Sequence, residues 1–334
     1  MALIRTILLA AALLIAHAAG LGAQTAGCSG KNMLEEMKDA DAPAHARIMA
    51  AAGATENANA LLWKIERAGT PASYLFGTMH LTDDRINALS PATEAAFKGA
   101  RQLILEVGDL SSASFMKAFA KTRELMMFTD GRRLEQLLSE AEYAKVAGVL
   151  QRSGFPAQAA GGFRPWVAAL MLALSDCERR RAGEGLLPLD ARLAKDASAR
   201  GVSVIGLESL EQQFRAMAVV PEADQVEMLK ASLRTYDRID DVVETTVQLY
   251  LGRQLGAVWP FQLALAERSG VSPHAFDSAE QSLVFSRNLG MRDKALPALA
   301  EGGVLIAVGA LHLPGKQGLV ALFREAGYTL TPVE

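Results

Sequence analysis

Four polar side chains stand where chemistry would be done: His80, Glu106, Glu208 and His312 each follow closely on a short apolar run. Two of these segments echo each other. Tyr74-Leu75-Phe76-Gly77-Thr78-Met79-His80-Leu81 and Ile306-Ala307-Val308-Gly309-Ala310-Leu311-His312-Leu313 both read as a strand followed by Gly-x-x-His-Leu. The glycine permits a sharp turn or a close approach to a neighbour. Each histidine then lies just past the carboxyl end of its strand, where open α/β sheets bind ligands. Leu103-Ile104-Leu105-Glu106 and Val204-Ile205-Gly206-Leu207-Glu208 end in carboxylates in the same way. A glutamate buried there is costly unless it is paired or bound to a cation. If the four strands share one parallel sheet, two imidazoles and two carboxylates gather at one edge, a donor set that suits a divalent metal. The same residues also allow an ion-pair network. In that arrangement both glutamates pair with buried arginines, for which Arg85, Arg164 and Arg287 are available, and the histidines bond backbone carbonyls. Spacing alone does not separate the two. The other histidines, His17, His45 and His274, lack this context.

The elements that must position these residues alternate in type. Leu62 to Glu66 and Ser73 to Phe76 read as a β-hairpin around Ala68-Gly69-Thr70-Pro71. Pro91 to Gly99 reads as a helix with Ser90 as its N-cap, feeding the strand that ends in Glu106. From Ser114 to Arg181 the pattern is helical, with segments over Leu134 to Val149 and Pro165 to Cys177, and suggests an inserted cap. A helix from Asp190 to Ala199 precedes the strand that ends in Glu208. Amphipathic helices fill Glu222 to Leu255, and a further helix runs from about Phe276 to Ala300. Val304 to Val308 is the β-branched run of a central parallel strand. A helix over Gln317 to Ala326 and a strand near Tyr328 to Pro332 close the chain. This order predicts an α/β fold: a central, mostly parallel β-sheet flanked by helices, with an inserted helical cap at about 114–181.

Composition narrows the function classes. With 34 basic residues against 37 acidic ones, the chain offers no polycationic surface, so nucleic acid is not an expected partner. Arg5, the apolar run Ile7 to Ile15 and the small residues up to Ala23 have the pattern of a secretory signal, with cleavage expected after Ala23. That run falls short of the roughly 20 apolar residues a membrane span needs, and no later segment reaches it. Residues 24–60 form an Ala-rich arm, helical or partly disordered, with Leu34, Met37, Ile48 and Met49 as packing candidates. Residues 61–334 form the α/β domain. The two cysteines, Cys28 and Cys177, are expected to pair in an oxidising compartment. A weak lipoprotein-like box, Thr25-Ala26-Gly27-Cys28, is the competing use of Cys28. Among familiar catalytic motifs, His-Glu-x-x-His, Gly-x-Ser-x-Gly, the phosphate-binding loop and Gly-x-Gly-x-x-Gly do not occur.

The paired Gly-x-x-His-Leu segments, Glu106, Gly206-Leu207-Glu208 with Gln212-Gln213, Arg287-Asn288 and the ending Gly309 to Gly315 together resemble the TraB/GumN family, which includes the Tiki proteins. The similarity runs from about Leu61 to Val333. It implies a fold like that of erythromycin esterase and ChaN proteins, and the Tiki members act as metal-dependent proteases. Pro188-Leu189-Asp190 departs from the Gly-Ile/Val-Asp of many relatives, and no role is carried over to that loop.

These readings lead to an expected metal-dependent hydrolase of the cell envelope with a peptide or protein substrate. His80, Glu106 and His312 would hold a divalent cation, with manganese, cobalt and zinc all suitable, and the cation would activate water and polarise a carbonyl. Glu208 would be the general base or a fourth ligand, and Arg287 would stabilise developing negative charge. Asn288 joins the site through the family's Arg-Asn pair. The two glutamates are interchangeable at this stage. The alternative is a non-catalytic periplasmic protein that holds a metal or haem in the same cluster.

Overall fold

In a computed structural model, which describes Cys28 and residues 30–334, six strands form one sheet. They are β1 (Leu62–Glu66), β2 (Ser73–Thr78), β3 (Gln102–Val107), β4 (Ser203–Glu208), β5 (Val304–Gly309) and β6 (Thr329–Pro332), in the order β4-β3-β5-β2-β1-β6. The strands β4, β3, β5 and β2 are mutually parallel, whereas β1 runs antiparallel to β2 and to β6. The hairpin and the parallel block therefore follow the sequence reading. All four strands that lead into His80, Glu106, Glu208 and His312 belong to that parallel block.

Strand alternation explains the layering. Ile306 and Val308 of β5 face one side with Leu75 and Ile104, against Met291, Ala295 and Leu299 of the helix Ser286–Glu301 and Phe323 of the helix Leu319–Glu325. Leu305 and Ala307 face the other side with Phe76, Leu103 and Leu105, against Phe97 of the helix Pro91–Gly99 and Leu193 of the helix Leu189–Ala199. Because β5 is covered on both faces, its first five residues are all buried, as a central parallel strand requires.

Between β3 and β4 the helices form a cap with its own core, including Leu134, Val149, Phe155, Phe163, Trp166 and Leu172. Boundaries there differ from the sequence reading. The segment starting at Leu134 is a short 3-10 turn, and the helix proper is Glu140–Arg152, begun by a Ser139/Glu142 capping box. The Pro165 helix stops at Ala173, and Ser175 caps a new helix, Asp176–Gly183. A helix over Leu255–Arg268 escaped the sequence reading because it contains Pro260, which lacks an amide donor and ordinarily breaks a helix. Burial of Val258, Phe261 and Leu265 holds it against the arm helices Met33–Ala40 and Ala42–Ala54. Leu34, Met37 and Ile48 are buried in that contact as expected, and Met49 is only half-buried. Cys28 and Cys177 form a disulfide that ties the arm to the cap. The signal-like residues 1–23 and Thr25-Ala26-Gly27 lie outside the described residues. Among the described residues, no helix is long and apolar enough to cross a membrane.

Candidate active site

The carboxyl ends of the parallel strands bring His80, Glu106, Glu208 and His312 together around Glu106. Its Oε1 accepts the Gly309 N–H at 2.6 Å, lies 3.6 Å from His312 Nε2 and lies 3.9 Å from His80 Nε2. Its Oε2 accepts from Arg287 Nη2 at 2.5 Å and from Gln213 Nε2 at 3.1 Å. Glu208 meets the same guanidinium, accepting from Arg287 Nη2 at 2.7 Å and from Nε at 3.0 Å. The fourth carboxyl end thus joins the cluster through Arg287 and not through the histidines.

Each histidine is aimed by a partner on its Nδ1. Asn288 donates through Nδ2 to the Gln317 carbonyl at 2.8 Å, which leaves its Oδ1 to accept from His312 Nδ1–H at 2.6 Å. His312 Nε2 therefore carries a lone pair directed toward Glu106. His80 Nδ1–H donates to Asp190 Oδ2 at 2.6 Å, and the other Asp190 oxygen accepts the Thr78 hydroxyl at 2.6 Å. The loop beyond His80 is braced by the cap, since the Thr82 N–H and hydroxyl both donate to the buried Glu178 at 2.8 Å.

Electrostatics separate the two rings. Burial holds His312 down to about 4, with Arg287 and His80 also opposing its charge while Glu106 favours it, so the ring is neutral at pH 7. Protein also crowds His80 closely enough for desolvation to oppose its charge. The Asp190 carboxylate, through charge and hydrogen bond, outweighs that with help from Glu106 and pushes His80 up to about 9. Even so, 60% of the His80 side chain faces solvent against 6% for His312, so water screens the His80 pair. Burial opposes the charge on Glu106, but His312, His80, Arg287 and the Gly309 N–H hold its carboxyl down to about 2. The His312 contribution needs a protonated ring, which burial denies at neutral pH. Arg287, His80 and Gly309 carry the Glu106 charge there.

Gly309 is the observation that bears on whether a small divalent cation has room here. A Cβ at Gly309 would stand 3.0 Å from Glu106 Oε1, 3.4 Å from His80 Nε2 and 3.6 Å from a carbon of the His312 ring. The missing side chain keeps open the space these three groups face. The carboxylates Asp190, Glu106 and Glu208 outnumber the Arg287 guanidinium by two charges, of which the proton on His80 offsets one, so a divalent cation that displaces this proton would balance both. The donors are not already drawn into contact: among the described residues, no group of three or more His, Cys, Asp or Glu forms a ready-made metal site.

Comparison with known proteins places the chain among relatives. A match to the TraB/PrgY/gumN family spans residues 61–332. The chain belongs to the TraB/PrgY/gumN family. It is also 26% identical over 260 residues to the uncharacterized protein YbaP of Shigella flexneri, covering 77% of this chain and 89% of that protein. No solved structure matches it. In this TraB/PrgY/gumN member, both Gly-x-x-His segments and the Arg287-Asn288 pair lie in one cluster, with Arg287 on the carboxylates and Asn288 behind His312.

The ion-pair arrangement is realised in part. Arg287 pairs with both glutamates, whereas Arg85 pairs with Asp83 and Glu244, and Arg164 lies near Glu222. The histidine half of that arrangement fails, because the Nδ1 atoms meet side chains and not strand carbonyls. Sequence reasoning missed Asp190 as a partner of His80 and Gln213 as a partner of Glu106. In sequence Asp190 begins a helix and ends a Pro-Leu-Asp segment that departs from the relatives' pattern, and neither feature points to His80. Gln213 belongs to the Gln212-Gln213 pair after Glu208, whose sequence alone assigns it no role.

Proposed function

We propose that this TraB/PrgY/gumN protein is a metal-dependent hydrolase acting on a peptide or related bond outside the cytoplasm. The observation that carries the reading is the convergence of His80 Nε2 and His312 Nε2 on Glu106 Oε1, at 3.9 and 3.6 Å, beside the position that Gly309 leaves without a side chain. His80, His312 and Glu106 would hold the cation. When bound, a divalent metal lowers the pKa of water and polarises a carbonyl.

The chain's own residues supply the rest. Asp190 and Asn288 fix both imidazoles with Nε2 inward, the orientation that a hydrogen-bond acceptor on the far nitrogen imposes on metal-binding histidines. Among the described residues Glu208 Oε1 has one hydrogen-bond partner, Arg287 Nε at 3.2 Å, and so keeps acceptor capacity for a proton. Arg287 holds Glu208 and Glu106 at a fixed separation and presents positive charge beside them, where an anion developing on a substrate would be stabilised. Support for work outside the cytoplasm comes from the Cys28–Cys177 disulfide, which fits an oxidising compartment, and from the signal-like pattern of residues 1–23.

Glu208→Gln tests the proton-accepting role. It preserves shape and removes basicity, so bound metal should stay at the wild-type level while turnover of a peptide substrate falls by about 10² to 10⁴. Unchanged turnover would remove Glu208 from the reaction. Loss of metal would instead make it a ligand.

A further inference from the structure

Beyond Glu208 the cluster opens into a recess of about 580 Å³, between β4 and the helices Leu210–Ala218 and Ser286–Glu301. Its ionisable lining consists of Glu208, Arg215, Arg287 and Lys294. Glu208 pairs with Arg287, which it shares with Glu106, and neither Arg215 nor Lys294 has a carboxylate partner among the described residues. Arg215 has no side-chain partner among the described residues, and Lys294 meets only the neutral Gln212, at 3.2 Å. Two positive charges therefore stand at this recess on a chain whose formal net charge is -3. The lining of the recess includes Gln281 and Ser282 of a π-helical turn over Gln281–Phe285, a rare widening of the helix that is frequent at functional sites. At the edge of the sheet, β4 has no strand on its outer side among the described residues and ends at Glu208.

We propose that this recess binds an acidic stretch of an extended polypeptide, with its carboxylates at Arg215 and Lys294 and its chain running toward Glu208. The inference rests on the hydrolase reading for its purpose, because it supplies the class of peptide brought to the cluster. An extended chain suits a strip bounded by an uncovered strand edge, and carboxylates suit a local surplus of positive charge on an acidic protein.

The test separates binding from turnover. The full chain, kept in EDTA so that cleavage plays no part, is titrated with two fluorescein-labelled octapeptides that differ only in carrying two glutamates or two glutamines. Two exposed ion pairs contribute modestly, so the glutamate peptide should bind about fivefold more tightly at low salt. Arg215→Ala with Lys294→Ala should bring that ratio to about one, and Arg215→Lys with Lys294→Arg should keep it. Because both side chains are exposed, the fold should tolerate these changes. Equal affinity for the two peptides, no measurable binding of either, or a ratio unchanged in the double alanine variant would each overturn the proposal. Binding preference that persists in a protein without hydrolytic activity would leave this inference standing and remove the hydrolase reading, and the reverse result would do the opposite.

Discussion

The two histidine segments are near copies in sequence and opposites in chemistry. Both are a strand, Gly-x-x-His-Leu, and both end with Nε2 facing the same oxygen of Glu106. Yet His312 is buried on the neutral amide of Asn288 and is held down to about 4, while His80 is open to solvent on the carboxylate of Asp190 and is pushed up to about 9. A repeated motif therefore fixes where a ring is presented. The partner behind the ring decides whether it arrives as a fixed lone pair or as a proton carrier.

The largest effect should come from removing what the two halves share. Glu106→Ala leaves Arg287 with Glu208 as its remaining anion and takes away the oxygen that both rings face. Breaking a buried pair on one side costs about 3 to 5 kcal/mol, and the Glu208 contact keeps the expected loss near the lower end, about 3 kcal/mol by urea unfolding. A loss no greater than that of an ordinary surface substitution would show that Glu106 does not bind the halves together.

Exchanging the partners sharpens the comparison. Asp190→Asn should return His80 from about 9 toward its ordinary value near 6.5, and Asn288→Asp should raise His312 from about 4, both read from the ring proton shifts in NMR titrations. Replacing either partner by alanine, which removes the acceptor behind the ring, should weaken divalent-metal affinity by roughly 10- to 100-fold at about pH 9, where proton competition at His80 is small. If His80 titrates unchanged in Asp190→Asn, the carboxylate is not the source of the difference.

A smaller and continuous effect is expected from pH. A proton on His80 competes with a cation, so metal affinity should rise by about tenfold per unit as pH climbs toward 9 and then level off. In the metal-free protein the stabilisation from charged His80 is fully present below about 6.5 and is lost as pH rises through about 9. The stabilisation from ionised Glu106 is fully present above about 4.5 and is lost as pH falls through about 2. Metal affinity that does not change between pH 7 and 9 would place His80 outside the binding event.

What was legible in the sequence follows the same division. The β-branched run Val304 to Val308 and the apolar runs before Glu106 and Glu208 mark buried strands, because strands covered on both faces leave little room for polar residues. With the sheet parallel, the meeting of His80, Glu106 and His312 follows from the motif alone. The partners that set their chemistry come from elsewhere. Asp190 reaches His80 across 110 residues of sequence from the first turn of a helix, and only the packing of that helix on the sheet brings it there. The Leu255–Arg268 helix was hidden for a related reason, since burial around Phe261 overrides the local disfavour of Pro260.

The central claim is that His80, Glu106 and His312 hold a divalent cation. It is tested most directly by elemental analysis of the natively purified wild type beside His80→Ala and His312→Ala, each then reloaded with manganese, cobalt or zinc and desalted. The wild type should retain about one equivalent, as expected for a site with three protein ligands, and both variants should retain almost none. Wild-type metal content in both variants, or a wild type that binds none of the three metals, would contradict the account and leave the cluster as an ion-pair network organised by Arg287.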